Sequence, residues 1–218
     1  MPALFSNRLV KVMLRQNNTV VWAAFIMLCS IASTAPAMEL SVSQGYRDGG
    51  KFEADFPPVS YSLAGGPATS VVFSHELDAK RTLELLYSHQ STSLRNDRTR
   101  EMLLDLGIDY YHIGGTNEIS RSGNTVFFGS GGLGATHFSP SGDYYSETRF
   151  SVSFGLGAKH SIGERLILRA DGKLFGTFLD SGSGIFCGVG TSSNGCSIAV
   201  SGTLAVQYEI SAGIGFKF

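Results

Sequence analysis

The sequence predicts an all-β protein: an eight-stranded antiparallel up-and-down β-barrel that crosses a membrane. Three observations predict it. Apolar side chains alternate with small or polar ones through eight segments. The connections between those segments alternate between short and long. The first 37 residues have the make-up of an export signal.

Arg8, Lys11 and Arg15 give that start a basic region, VVWAAFIMLCSIAS an apolar core, and Ala35-Pro36-Ala37 a cleavage site of small residues. The apolar run holds 14 residues, short of the roughly 20 that a spanning helix needs. Residues 1–37 are therefore expected to be a cleaved signal peptide, with translation starting at Met1 or Met13, and Cys29 leaves with it. Residues 38–218 form the expected barrel domain and hold 14 basic against 18 acidic residues. That balance lacks the basic footprint of a nucleic-acid partner. Cys187 and Cys196 remain in the exported part. Outside the cytoplasm they are expected to form a disulfide. Two cysteines without companion ligands make no zinc site, and His75, His112, His137 and His160 lie on different segments without metal spacing. No metal or cofactor is expected.

The segments follow in order. MELSVSQGY, TSVVFSHEL and RTLELLYSHQ come first, the third setting Leu83, Leu85 and Tyr87 against Thr82, Glu84 and Ser88. EMLLDLGIDYYH sets Met102, Leu104, Leu106, Ile108 and Tyr110 against Glu101, Asp105 and Asp109. The glycine-rich NTVFFGSGGLGATHF precedes RFSVSFGLGAKH, where Phe150, Val152, Phe154 and Leu156 oppose Arg149, Ser151, Ser153 and Lys159. RLILRADGKLFGTFL and TLAVQYEISAGIGFKF complete the eight, each with a clear period of two. Short connections are expected at 78–81, 114–123 and 161–165, and longer ones at 47–67, 95–100, 139–147 and 180–200. A soluble barrel would show the same alternation, with its apolar face inward. The membrane reading rests on segments of about 10–15 residues, enough for a tilted crossing. It rests also on polar faces of Gly, Ser and Thr with isolated charges, which suit a cramped lumen better than a solvated surface.

VFFGSGGLGATHF, FGLGAKHSIGERLILRADGKLFGTFLD and the terminal EISAGIGFKF resemble the small OmpA/OmpX-like, opacity-type outer-membrane β-barrel domain family. The resemblance implies a Gram-negative outer-membrane location. It also implies that Tyr208, Ile214, Phe216 and Phe218 act as a signal to the barrel assembly machinery. With Phe218 closing the last segment, the cell-wall tether of the larger OmpA type is not expected.

By strand parity, Glu84, Asp105, Asp109, Arg149, Lys159, Arg169, Asp171, Lys173 and Glu209 are expected to line the lumen as a charge network. Unpaired charges there would be costly, so ion pairing is expected. Tyr111, Phe175 and Leu103 are expected to face inward and help plug the lumen. The functional expectation is a monomeric, non-enzymatic barrel among outer-membrane lipids. Its role is structural or surface-interacting, through loops 47–67 and 180–200. A small porin is the alternative. A lipid-modifying enzyme is the third reading: His89 and Ser91 in YSHQST share one strand face, turned to the lipid near the outer rim. A base and a nucleophile need an orienting acid, and parity leaves none beside them.

Overall fold

A computed structural model describes residues 38–54, 59–142, 144–179, 184–187, 196–199 and 204–218. The expected signal peptide 1–37, with Ala35 and Ala37, lies outside the described residues, as do parts of loops 47–67 and 180–200. The described residues form twelve strands and no helix: β1 Met38–Gly49, β2 Lys51–Ala54, β3 Val59–Leu63, β4 Gly66–Glu76, β5 Arg81–Asn96, β6 Met102–Ser122, β7 Thr125–Pro140, β8 Glu147–Ile162, β9 Leu166–Phe178, β10 Gly184–Cys187, β11 Cys196–Ala199 and β12 Leu204–Lys217.

Eight of them, β1, β4, β5, β6, β7, β8, β9 and β12, pair antiparallel around a closed ring. Closure runs through β1 and β12, from Glu39↔Lys217 to Gly49↔Gln207. With every barrel edge paired, no row of backbone donors and acceptors is left open to hydrocarbon. Hairpin β2–β3 extends the sheet at one end and pairs with β5 from Tyr61↔Asn96 to Leu63↔Leu94. Hairpin β10–β11 stands between β9 and β12.

The tight connections, 77–80, 123–124 and 163–165, all fall at one end, which marks it as the periplasmic end. One is tighter than the sequence suggests. The expected turn at 114–123 is mostly strand: β6 continues to Ser122, pairs it with Thr125, and reverses at Gly123-Asn124. Gly123 has φ +56, a value that a two-residue hairpin turn requires and that glycine adopts without a Cβ clash.

Along β8, β9 and β12 the faces follow parity: Arg169, Asp171, Lys173, Phe175, Gln207 and Glu209 are buried inside, while Leu168, Leu174, Ile210 and Ile214 are exposed outside. β6 reverses the expectation. Leu104, Leu106, Ile108 and Tyr110 point into the barrel, and Leu103 and Tyr111 point outward with Asp105 and Asp109. The extracellular half of the barrel encloses an apolar core, built by these residues with Leu63, Leu94, Phe138, Phe175 and Leu179. Above the membrane the outer wall meets water, so the polar face turns out and the apolar face turns in. Asp105, Asp109, Leu103 and Tyr111 are thus not lumenal.

The outward belt tests the membrane crossing. Ile210, 74% exposed on β12, lies between Tyr208 and Phe216. Ile210→Arg should lower unfolding stability in lipid vesicles by roughly 2–4 kcal/mol, the cost of a midplane cation on a lipid face. A soluble wall would accept the change at no cost.

Candidate functional site

The interior is built in layers. At the periplasmic mouth a vestibule of about 360 Å³ opens among Glu39, Glu76, Lys80, Arg121, Lys159 and Lys217. On its rim Arg81 Nε donates to Asp78 Oδ2 at 2.6 Å, and the backbone N–H groups of Lys80 and Arg81 donate to Oδ1. Those donors, Arg81 first, hold the Asp78 carboxyl down at about 2.

Above the vestibule lies an ion cluster. Arg169 grips Glu84 with two nitrogens, at 2.7 and 3.1 Å, and donates to both Asp171 oxygens, at 2.7 and 3.0 Å. Lys173 Nζ reaches Asp171 at 2.6 Å, and Lys159 Nζ reaches Glu39 at 3.1 Å and Glu84 at 3.5 Å. Three carboxylates and three cations balance, which is what a low-dielectric lumen requires. The Phe128 ring lies 5.1 Å from the Arg169 guanidinium and 5.5 Å from Lys159 Nζ. It sits there because Gly157 has no side chain: a Cβ at that position would come within 2.4 Å of the ring.

The next void holds about 20 Å³, beside Glu84, His112, Ser153 and Lys173, room for about one water. His112 bridges Ser153 and Ser151 at 2.8 Å each. A second charged layer follows. Arg47 Nε donates to Glu209 at 2.9 Å, and its guanidinium is 4.9 Å from the Tyr110 ring centroid and 4.8 Å from that of Phe175. Those two rings stack at 4.4 Å. Tyr110 donates to Gln207, Gln207 to Gln90, and Gln90 to the Arg47 carbonyl. The apolar core closes the extracellular end.

The structure brings Glu84, Lys159, Arg169, Asp171 and Lys173 together, and places Glu209 in the higher layer. Arg149 stands in the extracellular half of β8, ten residues from Lys159, with Nη2 2.8 Å from Glu147. Sequence reasoning missed Glu39 and Arg47. Both were visible in the parity of MELSVSQGYR, where Glu39, Ser41, Ser43 and Arg47 share a face.

The outer wall carries a different group. β5 sets His89 opposite Asp109 and Ser91 opposite Gly107. His89 Nδ1 lies 2.8 Å from Asp109 Oδ1, and Nε2 lies 3.2 Å from Ser91 Oγ. Tyr87 donates to the same Asp109 oxygen at 2.8 Å. The acid that parity hid inside the barrel thus stands outside, beside the histidine. Asp105 also lies on the outer wall, near the extracellular rim, where its backbone N–H donates to Ser141 Oγ at 3.2 Å.

No family model matches the chain, and no curated protein matches it. Among solved structures it is similar to the outer membrane protein OprG from Pseudomonas aeruginosa, with TM-score 0.57, 10% identity, and coverage of 84% of this chain and 96% of that one. It is similar to Neisserial surface protein A, with TM-score 0.56, 12% identity, and coverage of 84% and 99%. The outer membrane protein AlkL in lipid bilayers follows at TM-score 0.50 and 10% identity, with coverage of 87% and 94%. The fold is that of a small outer-membrane β-barrel. Identities this low carry the architecture of this outer-membrane barrel and none of its chemistry.

Arg169, with its side chain 1% exposed, is the hub of the lower cluster. Arg169→Met should cost about 3–5 kcal/mol by leaving Glu84 and Asp171 under-compensated. Pairing it with Glu84→Leu should recover a large part, measured by urea unfolding in lipid vesicles.

Proposed function

We propose that this outer-membrane barrel is closed to ions and acts through its outer wall and extracellular loops. The observation that supports this is the succession of layers that the described residues form above the vestibule. The ion cluster, the Arg47–Glu209 layer with its stacked rings, and the apolar core follow one another, with room for about one water between the first two. An ion in transit would have to part buried, charge-balanced pairs, whose separation leaves uncompensated charge. The same reading includes export by the signal peptide at 1–37 and monomeric residence among outer-membrane lipids. It further includes recognition of Tyr208, Ile214, Phe216 and Phe218 by the assembly machinery, and an extracellular partner engaged through loops 47–67 and 180–200.

The loop at 180–200 has a built restraint in this reading. β10 and β11 pair Cys187 directly with Cys196. Directly opposed antiparallel residues have Cα atoms roughly 4.5–5.5 Å apart, within the roughly 4.4–6.8 Å that a disulfide spans. A non-reducing peptide map of protein purified from membranes should contain the Cys187–Cys196 cross-link, and free thiols at both positions would remove it from the account.

Planar-bilayer recording tests the closed lumen. Protein purified from membranes, with folding verified by its gel shift on boiling, should give no reproducible single-channel steps. Steady steps that change selectivity on Lys173→Ala would replace this reading with that of a small pore.

A further inference from the structure

The groups on the outer wall are arranged for acyl transfer. We propose that Ser91, His89 and Asp109 form a hydrolytic triad that cleaves an acyl ester of an outer-leaflet lipid. The inference rests on the reading of a barrel that works at its outer wall.

One histidine tautomer satisfies every contact. Nδ1–H donates to Asp109 at 2.8 Å, which leaves the Nε2 lone pair to accept the Ser91 hydroxyl at 3.2 Å. This is the relation of nucleophile, base and orienting acid that serine hydrolases share across unrelated folds. It is built by the sheet itself: His89 and Ser91 lie two apart on one face of β5, and Asp109 is the direct cross-strand neighbour of His89 on β6. Tyr87 donates to Asp109 at 2.8 Å and so helps fix its carboxylate. Across from Ser91 stands Gly107, which puts no side chain on that face, where a Cβ would touch Ser139 and the His89 ring.

The surroundings name the substrate class. Directly below the triad Tyr87 and Tyr111 pair across the strands, with ring centroids 5.2 Å apart. Aromatic pairs of this kind mark the membrane–water interface. Beneath them the lipid-facing wall has an apolar groove of about 530 Å³, lined by Val71, Phe73, Leu85, Ile113 and Leu133 with the two tyrosines. Above them a second groove of about 460 Å³ includes Ser91, Arg95, Gly107, Ser139 and Ser141. An amphiphile whose acyl chain lies in the lower groove would have its ester at the level of Ser91. Its polar head would then lie in the upper groove, where Arg95 suits an anionic group and Asp105, which also lines it, a cationic one. Phospholipids and lipopolysaccharide both offer such an acyl ester.

The reaction balances without any further reagent than water. Ser91 Oγ bonds to the ester carbonyl carbon while its proton passes to His89 Nε2. The acyl C–O bond then breaks, and His89 returns the proton to the departing alcohol oxygen. Water, deprotonated by His89 in turn, attacks the acyl-serine, releases the carboxylic acid and restores Ser91. Ser91 and His89 are the catalytic residues, and Asp109 positions His89.

The test uses protein purified from outer membranes in detergent, with folding verified by heat-dependent gel migration. A fluorophosphonate should label the wild type at Ser91, located by peptide mass. Ser91→Ala and His89→Ala should lose the label. Asp109→Asn should slow it by about 10²–10⁴-fold, Asp109→Glu should restore part of the rate, and His160→Ala at the periplasmic end should leave it unchanged. The same protein is then mixed with phosphatidylethanolamine–phosphatidylglycerol vesicles in one arm and purified lipopolysaccharide in the other. Fatty acid released in either arm, and absent with Ser91→Ala, identifies the source of the ester. Folded wild type that takes no label, or labelling that His89→Ala leaves intact, overturns the triad. Labelling without acid release in either arm overturns the lipid assignment. Bilayer conductance is independent of both results, so a failed triad and an open lumen are told apart.

Discussion

Eight strands close into a ring so narrow that its interior has to be filled by its own side chains. Most of the structure follows from that constraint. Any charge admitted to such a lumen has lost its water, so it must meet an opposite charge or a hydrogen-bonding partner. The barrel meets this demand twice. Near the periplasm Arg169 joins Glu84 and Asp171 while Lys159, Lys173 and Glu39 complete a neutral set. Higher up, Arg47 is held by Glu209 and lies against two aromatic rings. Small residues make this possible. Ser41, Ser70, Ser74 and Ser88 supply hydroxyls to the charged groups without crowding them.

A second constraint acts along the barrel axis. The wall meets hydrocarbon at one level and water at another, so its inside-out polarity cannot be constant. On β5 and β6 the change falls between Tyr87/Tyr111 and His89/Asp109, neighbouring pairs of the same ladder. Below it the outer face is Leu83, Leu85 and Ile113, and above it the inner face is Leu94, Leu104, Leu106 and Ile108. The polar outer wall above that line is where titratable side chains can stand in water beside lipid. The chemistry proposed for Ser91 uses that position.

These two constraints explain which features were legible in the sequence. The barrel, its closure and the inward faces of β8, β9 and β12 could be read because those strands carry apolar residues on the lipid side. β6 could not be read the same way. Its longest apolar alternation, Leu104 to Tyr110, belongs to the extracellular core, and the hydrophobic face of a strand does not say which apolar medium it touches. Assigning that face to lipid turned Asp105 and Asp109 inward. It thereby hid the partner of His89, which is 20 residues away in sequence and meets it only through the β5–β6 register. Glu39 was within reach of parity in a strand whose small and polar residues made it look irregular, and Arg47 was assigned to the connection 47–67, although β1 continues to Gly49.

The measurement that bears most directly on this account is the depth of successive outward positions on β5 in a bilayer. Nitroxide labels at single cysteines replacing Leu83, Leu85, His89 and Ser91, with Cys187 and Cys196 changed to serine, would report accessibility to oxygen against a water-soluble nickel chelate. The account predicts oxygen-dominated relaxation at 83 and 85 and nickel-dominated relaxation at 89 and 91, with the change across Tyr87. Oxygen-dominated relaxation continuing through 89 and 91 would place those residues in hydrocarbon and contradict both the polarity reversal and the site built on it.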